Sequence, residues 1–149
     1  MITTLRTDSK NTDFIDLVEA LDAYLKTTDG DEHEFYNQYN NIDVLDHVIV
    51  AYQNGIAVGC GAFKTFDKSS VEIKRMYTKP ETRGLGIATT ILNALESWAS
   101  ELNYSTCILE TGKRQIEAVQ FYKKNNYSII PNYGQYKHMA NSLCFEKLI

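Results

Sequence analysis

The stretch that most restricts the fold is Arg83-Gly84-Leu85-Gly86-Ile87-Ala88, which stands between a run of β-forming residues and a long amphipathic helix. Two glycines at a strand-to-helix junction let the chain turn sharply and leave the first backbone N–H groups of the helix bare. Those amides and the positive end of the helix dipole make a seat for an anion such as phosphate. Upstream, Val71 to Thr78 reads as a strand that delivers the chain to the loop, with Pro80 between. Downstream, Ile87, Ala88, Ile91, Leu92, Leu95, Trp98, Ala99 and Leu102 recur at three and four residues, the apolar stripe of one helix.

The rest of the chain gives these elements something to pack on. Ile2 to Arg6 reads as a short strand, and Asn11, Thr12 and Asp13 are caps for a helix with Phe14, Leu17, Val18, Leu21, Tyr24 and Leu25 on one face, closed by Gly30. Asp31 to Asn40 reads as a second, aromatic helix carrying His33. His47 to Tyr52 and Ile56 to Phe63 form a hairpin across Asn54-Gly55, with Gly59 and Gly61 marking a bulge or a close backbone approach. Ser105 to Leu109, Tyr127 to Ile130 and Leu143 to Leu148 are further strands, and Arg114 to Lys124 a helix. The order β-α-α-β-β-β-α-β-α-β-β is mixed α/β, read as one domain over residues 1–149.

Charge and composition narrow the partners. A formal net charge of −4 argues against nucleic acid, whose phosphates need a basic face. No apolar run approaches membrane-spanning length and the first residues carry no signal-peptide core, so a cytoplasmic protein without a membrane partner is expected. Cys60, Cys107 and Cys144 lack metal or redox spacing and read as small buried hydrophobes, with an acyl-carrying thiol as the other reading. His33, His47 and His138 are dispersed, and no metal is expected. A Rossmann fingerprint needs glycine or alanine where Thr89 stands, and Gly112-Lys113-Arg114 does not complete a P-loop.

With these elements placed, the chain resembles the GNAT superfamily of acetyl-CoA-dependent N-acyltransferases. Their loop signature is Arg or Gln, two residues, Gly, one residue, then Gly or Ala; Arg83, Gly86 and Ala88 stand at those positions, and Gly84 completes the common Arg-Gly-x-Gly form. Glu72 to Leu102 is similar to the family's core motif. Gln115 to Tyr122, followed by Asn126-Tyr127, is similar to its next one. The resemblance implies a mostly antiparallel, splayed sheet flanked by helices, and acetyl transfer from acetyl-CoA to an amine without a metal. It implies that Leu85, Gly86, Ile87 and Ala88 hold the pyrophosphate through their amides. Arg83 then adds charge, Gly84 and Gly86 allow close approach, and Met76, Tyr77 and Thr78 pair with the pantetheine arm through main chain. Gln115 stands where the family commonly has Asn. Asn126 stands where Gly often ends the helix, and Asn tolerates the left-handed conformation.

A thioester is already activated, so the remaining tasks are to place the amine, remove its proton and protonate the departing thiolate. An alkylammonium with pKa about 10.4 costs roughly 4–5 kcal/mol to deprotonate at pH 7. Glu72 is the candidate base, as some family members place a glutamate there, and strand alternation sets it on one face with Lys74, Met76 and Thr78. A surface ion pair with Lys74 or Arg75 is its alternative reading. Tyr122 is the candidate acid by the same resemblance, or a core tyrosine. Lys74 and Arg75 are candidates for a substrate carboxylate, and Glu110, Tyr133 and Tyr136 for framing the amine. The expected acceptor is a small-molecule primary amine attacked in a ternary complex, in a chain that can form a homodimer. A coenzyme A sensor or partner-binding module, or a protein or peptide N-acetyltransferase, remains open.

Overall fold

A computed structural model describes residues 1–29 and 45–149. The expected stop at Gly30 and the aromatic helix with His33 lie outside the described residues. Among the described residues the seven strands are β1 (Ile2–Thr7), β2 (His47–Gln53), β3 (Ile56–Thr65), β4 (Ser70–Thr78), β5 (Thr106–Gly112), β6 (Ser128–Ile130) and β7 (Ser142–Leu148). The helices are α1 (Thr12–Asp29), α2 (Ile87–Glu101) and α3 (Ile116–Lys124), with single 3-10 turns at Pro80–Thr82 and Gly134–Tyr136. None of these helices is long and apolar enough to cross a membrane. The strands form one sheet in the order β1-β2-β3-β4-β5-β7-β6.

Local chemistry places most of these elements. Asn54 and Gly55 both take positive φ, 52° and 80°, as the expected hairpin turn requires. The side chain of Asn11 caps α1 by accepting the Phe14 amide at 2.9 Å. Alternation along β2 then sorts the core into two layers. Val48 and Val50 face Phe14, Leu17 and Val18 of α1, whereas Ile49 and Ala51 face the layer containing Ile91, Leu92 and Leu95 of α2. Tyr122 and Tyr127 extend that second layer.

Helix α2 lies so close to β3 that side chains are excluded beneath it. A Cβ on Gly59 would stand 2.9 Å from Ile91 Cδ1 and 2.9 Å from the Tyr77 carbonyl oxygen, the second of which is backbone. Gly59→Val is therefore expected to destabilise the fold by about 2–3 kcal/mol, the usual cost of overpacking a tight core. Denaturant unfolding would read this as a lower midpoint, and an unchanged midpoint would contradict the close approach.

The sheet is split by one irregularity. All neighbouring strands are antiparallel except β4 and β5, which pair in parallel only at Ser70–Thr106, Val71–Cys107 and Glu72–Ile108. Two steps of β3 later, three residues of β4 have been used, because Ala62 opposes Lys74 while Cys60 opposes Tyr77. The extra residue is a β-bulge at Arg75, whose φ is 60°, and its carbonyl accepts the Cys60 thiol at 3.4 Å. A bulge bends its strand, and here the bend accompanies the parting of β4 from β5 beyond Glu72.

The bulge also corrects the sequence reading of the faces. Glu72 and Lys74 do share a face, but the extra residue reverses the alternation, so Tyr77 joins the α1 layer and Met76 the α2 layer. Met76 and Thr78 are not on the face of Glu72.

A buried polar cluster fastens the α2 side. Glu96 on α2 accepts the Tyr127 hydroxyl at 2.8 Å and pairs with Lys147 of β7 at 2.9 Å. It joins the helix behind β3 and β4 to the half of the sheet beyond the split.

Candidate active site

The parting of β4 and β5 opens a cleft with two arms. The first, about 350 Å³, runs past Met76, Tyr77 and Thr78, along Arg83, Gly84, Gly86, Ile87, Ala88 and Thr89, and against Phe121 and Tyr122 of α3. Gly86 is the N-cap of α2 with φ 77°, and no side chain caps the helix there. Both Gly84 and Gly86 are in the left-handed region, and nothing lies within 4 Å of where a Cβ would be. The first amides of α2 therefore meet open space, as an anion seat requires. Leu85 turns its side chain outward, 56% exposed, and does not line the arm. Arg83 donates from Nε to the Thr78 carbonyl at 3.3 Å, which draws the guanidinium back over the end of β4.

The second arm, about 110 Å³, is bounded by Glu72 to Met76 of β4, Glu110 to Gly112 of β5, and Tyr136. Leu21 and Leu25 of α1 close it, a contribution that sequence reading missed because an amphipathic stripe does not say what it covers. The two arms share Leu21, Met76, Gln115, Ala118 and Tyr122. Tyr122 thus stands where they meet. Gln115 is the N-cap residue of α3 without a capping hydrogen bond, and with Asn141 it crowds Gly112, where a Cβ would lie 3.4 Å from its Nε2.

The acidic end of the second arm is tightly organised. Glu72 is 3% exposed. Its Oε2 accepts the Tyr133 hydroxyl at 2.6 Å, while Oε1 lies 3.9 Å from both Lys64 Nζ and Lys74 Nζ. Tyr133 does not line the arm; it stands behind the carboxylate, edge-on to Phe66 and Tyr136. Burial pulls the Lys74 ammonium below the usual lysine value, against the opposing pull of Glu72.

The tyrosines share one electrostatic condition. Burial first holds the phenols of Tyr122, Tyr127, Tyr133 and Tyr136 above the ordinary tyrosine value; Glu110 adds to it at Tyr122 and Tyr136, Glu72 at Tyr133, and Cys107 and then Glu96 at Tyr127. Above about pH 10 the unfolded chain has released protons that the folded chain retains, so stability must fall as pH rises. Alkaline titration followed by tyrosinate absorbance is expected to show these phenols ionising only together with cooperative unfolding. Reversible ionisation of every tyrosine near pH 10 with the fold intact would contradict their burial. The thiols are similarly suppressed: burial pushes Cys60 and Cys107 up to about 12 and Cys144 up to about 11. None of the three is prepared to carry an acyl group as a thiolate.

Residues 14–127 match the model of the acetyltransferase (GNAT) family. The chain belongs to the GNAT family. This GNAT chain is 30% identical over 135 residues to a protein of Azospirillum brasilense named IAA acetyltransferase, covering 89% of this chain and 88% of the relative. It is also similar to a solved structure described as an acyl-CoA N-acyltransferase from Klebsiella pneumoniae. The TM-score is 0.83 at 30% identity, over 99% of this chain and 97% of the other. A GNAT acetyltransferase from Elizabethkingia anophelis, solved with acetyl-CoA bound, shares the fold at 16% identity and TM-score 0.72, over 99% and 98% of the two chains. The GNAT chain is an acyltransferase with the mixed α/β fold of that family, and acetyl transfer from acetyl-CoA is the reaction general to it.

Proposed function

We propose that the enzyme moves an acetyl group from acetyl-CoA to the primary amine of a small molecule, by direct attack within a ternary complex. The observation that carries this reading is the meeting of the two arms at Met76, Gln115, Ala118 and Tyr122. A donor in the long arm and an acceptor in the short one are thereby brought together without a covalent relay. The buried thiols support the same conclusion, since none is poised to take the acetyl group itself.

The uncapped start of α2 holds the pyrophosphate through the amides of Leu85 to Ala88, assisted by Arg83, and the backbone of Met76 to Thr78 holds the pantetheine arm. Glu72 receives the amine's proton, directly or through water, and Tyr133 fixes the orientation of its carboxylate. Tyr122 presents its hydroxyl to the departing sulfur. A phenol above its ordinary value remains protonated throughout the working range, so it donates a hydrogen bond to the developing thiolate at every relevant pH. Gln115 reaches the pantetheine amides. The name of the Azospirillum brasilense relative, IAA acetyltransferase, favours a small acceptor, and the acetyl-CoA in the Elizabethkingia anophelis structure favours that donor. Three unpaired cysteines suit the reducing cytoplasm.

Calorimetry with acetyl-CoA and a thiol-release assay across a panel of amines test this together. Saturable binding and amine-dependent coenzyme A release are expected. Failure to bind acetyl-CoA at near-millimolar concentration removes the proposal, and binding without release for any amine replaces it with the sensor reading.

A further inference from the structure

We infer that the acceptor carries a carboxylate beside its amine, and that Arg75 is the residue that receives it. The inference rests on the enzymatic reading above and deepens it to a substrate class, that of amino acids small enough for the short arm.

Arg75 occupies an unfavourable backbone position. Its φ of 60° belongs to the left-handed region, where glycine would be the least strained residue for a bulge. The bulge therefore explains the backbone and not the side chain. That side chain is only 4% exposed, and a buried guanidinium is tolerated when its donors are matched. Asp22 on α1 takes Nη1 at 2.7 Å. The buried Nε has no hydrogen-bond partner among the described residues. Arginine holds its donors in a rigid plane, and the edge containing Nε is one that a carboxylate engages with both oxygens.

The surroundings point to the same ligand. Arg75 and Lys74 line the short arm together with Glu72 and Glu110. A lining that carries both signs complements a zwitterion, with carboxylate toward Arg75 and Lys74 and ammonium toward the glutamates. It opposes a polyamine, whose further ammonium groups would meet two cations in a confined arm. The volume, about 110 Å³, suits a molecule of a few heavy atoms.

The test compares matched acceptors, each an amino acid, its carboxamide and its decarboxylated amine, in the thiol-release assay with acetyl-CoA. The acid is expected to exceed the other two by about tenfold or more in kcat/KM, the worth of one charge-assisted pair. Arg75→Gln should erase that preference, mainly through KM. Arg75→Lys, which keeps the charge without the planar fork, should retain part of it. Asp22→Asn separates recognition from support: it breaks the ion pair with α1 and should leave the acid-to-amide ratio in place. Equal turnover of acid and amide overturns the inference, as does an Asp22→Asn variant that loses the ratio as fully as Arg75→Gln, which would make Arg75 a strut. If no amine supports release, the enzymatic reading has failed. The inference is then decided by calorimetry on the coenzyme A complex, where tighter binding of the acid upholds it and equal binding overturns it.

Discussion

Replacing Tyr122 by phenylalanine is expected to lower kcat by about a hundredfold while leaving the acetyl-CoA dissociation constant within about threefold, the scale of one proton-donating group in a transition state. The residue sits where the two arms of the cleft join and is 7% exposed. Its ring is edge-on to Tyr127 and Phe121, contacts that phenylalanine can keep. The substitution thus removes one hydroxyl from the junction and little else. A thiolate leaving into a buried site needs a donor near the sulfur, and burial with the nearby charge of Glu110 keeps this phenol protonated. Steady-state kinetics beside calorimetry separates the effects. Unchanged kcat would assign Tyr122 to the core alone, and a large loss of acetyl-CoA affinity would assign it to donor binding.

The second large effect is expected from Glu72→Gln. Near neutral pH only about one part in a thousand of a lysine-like amine is unprotonated, which is the barrier that a base lowers. Turnover should fall by about a hundredfold at pH 7 and recover as the pH approaches the acceptor's own pKa, where solution supplies the free amine. Glutamine keeps an oxygen for the Tyr133 hydroxyl, so the organisation around it survives. A pH–rate profile that drops in parallel at every pH would mean that Glu72 positions the acceptor rather than taking its proton. The recovery is to be read below about pH 10, before the buried tyrosines begin to unfold the protein.

The long arm of this cleft is readable in the sequence because it depends on local signals. Gly84 and Gly86 announce a turn with left-handed φ, and the stripe from Ile91 to Ala99 announces the helix that the turn begins. Asn54-Gly55 announces the hairpin that brings β2 beside β3. The bulge at Arg75 was not readable, because nothing in Lys74-Arg75-Met76 distinguishes a left-handed arginine from an extended one. Missing it assigned Met76 and Thr78 to the wrong face. Contacts between distant residues were equally hidden. Tyr133 reaches Glu72 across 61 positions and Arg75 reaches Asp22 across 53, and each is set by tertiary packing rather than by local propensity. The short arm brings together residues of β4, β5, α1 and α3 that lie far apart in the chain.

The short seam between β4 and β5 gives the two arms different tolerance to substitution. On the proposed reading the donor's partners in the long arm are mainly peptide groups, which every residue type supplies, so most single changes along it are expected to preserve donor recognition provided Gly84 and Gly86 stay. The short arm is a set of side chains projecting from β4, β5, α1, α3 and the segment before β7, and most of them, Glu72 excepted, lie outside the seam. A scan of all substitutions would therefore find donor affinity robust and acceptor choice readily retuned, with the same framework turned toward a new amine by one or two changes around Arg75 and Glu110.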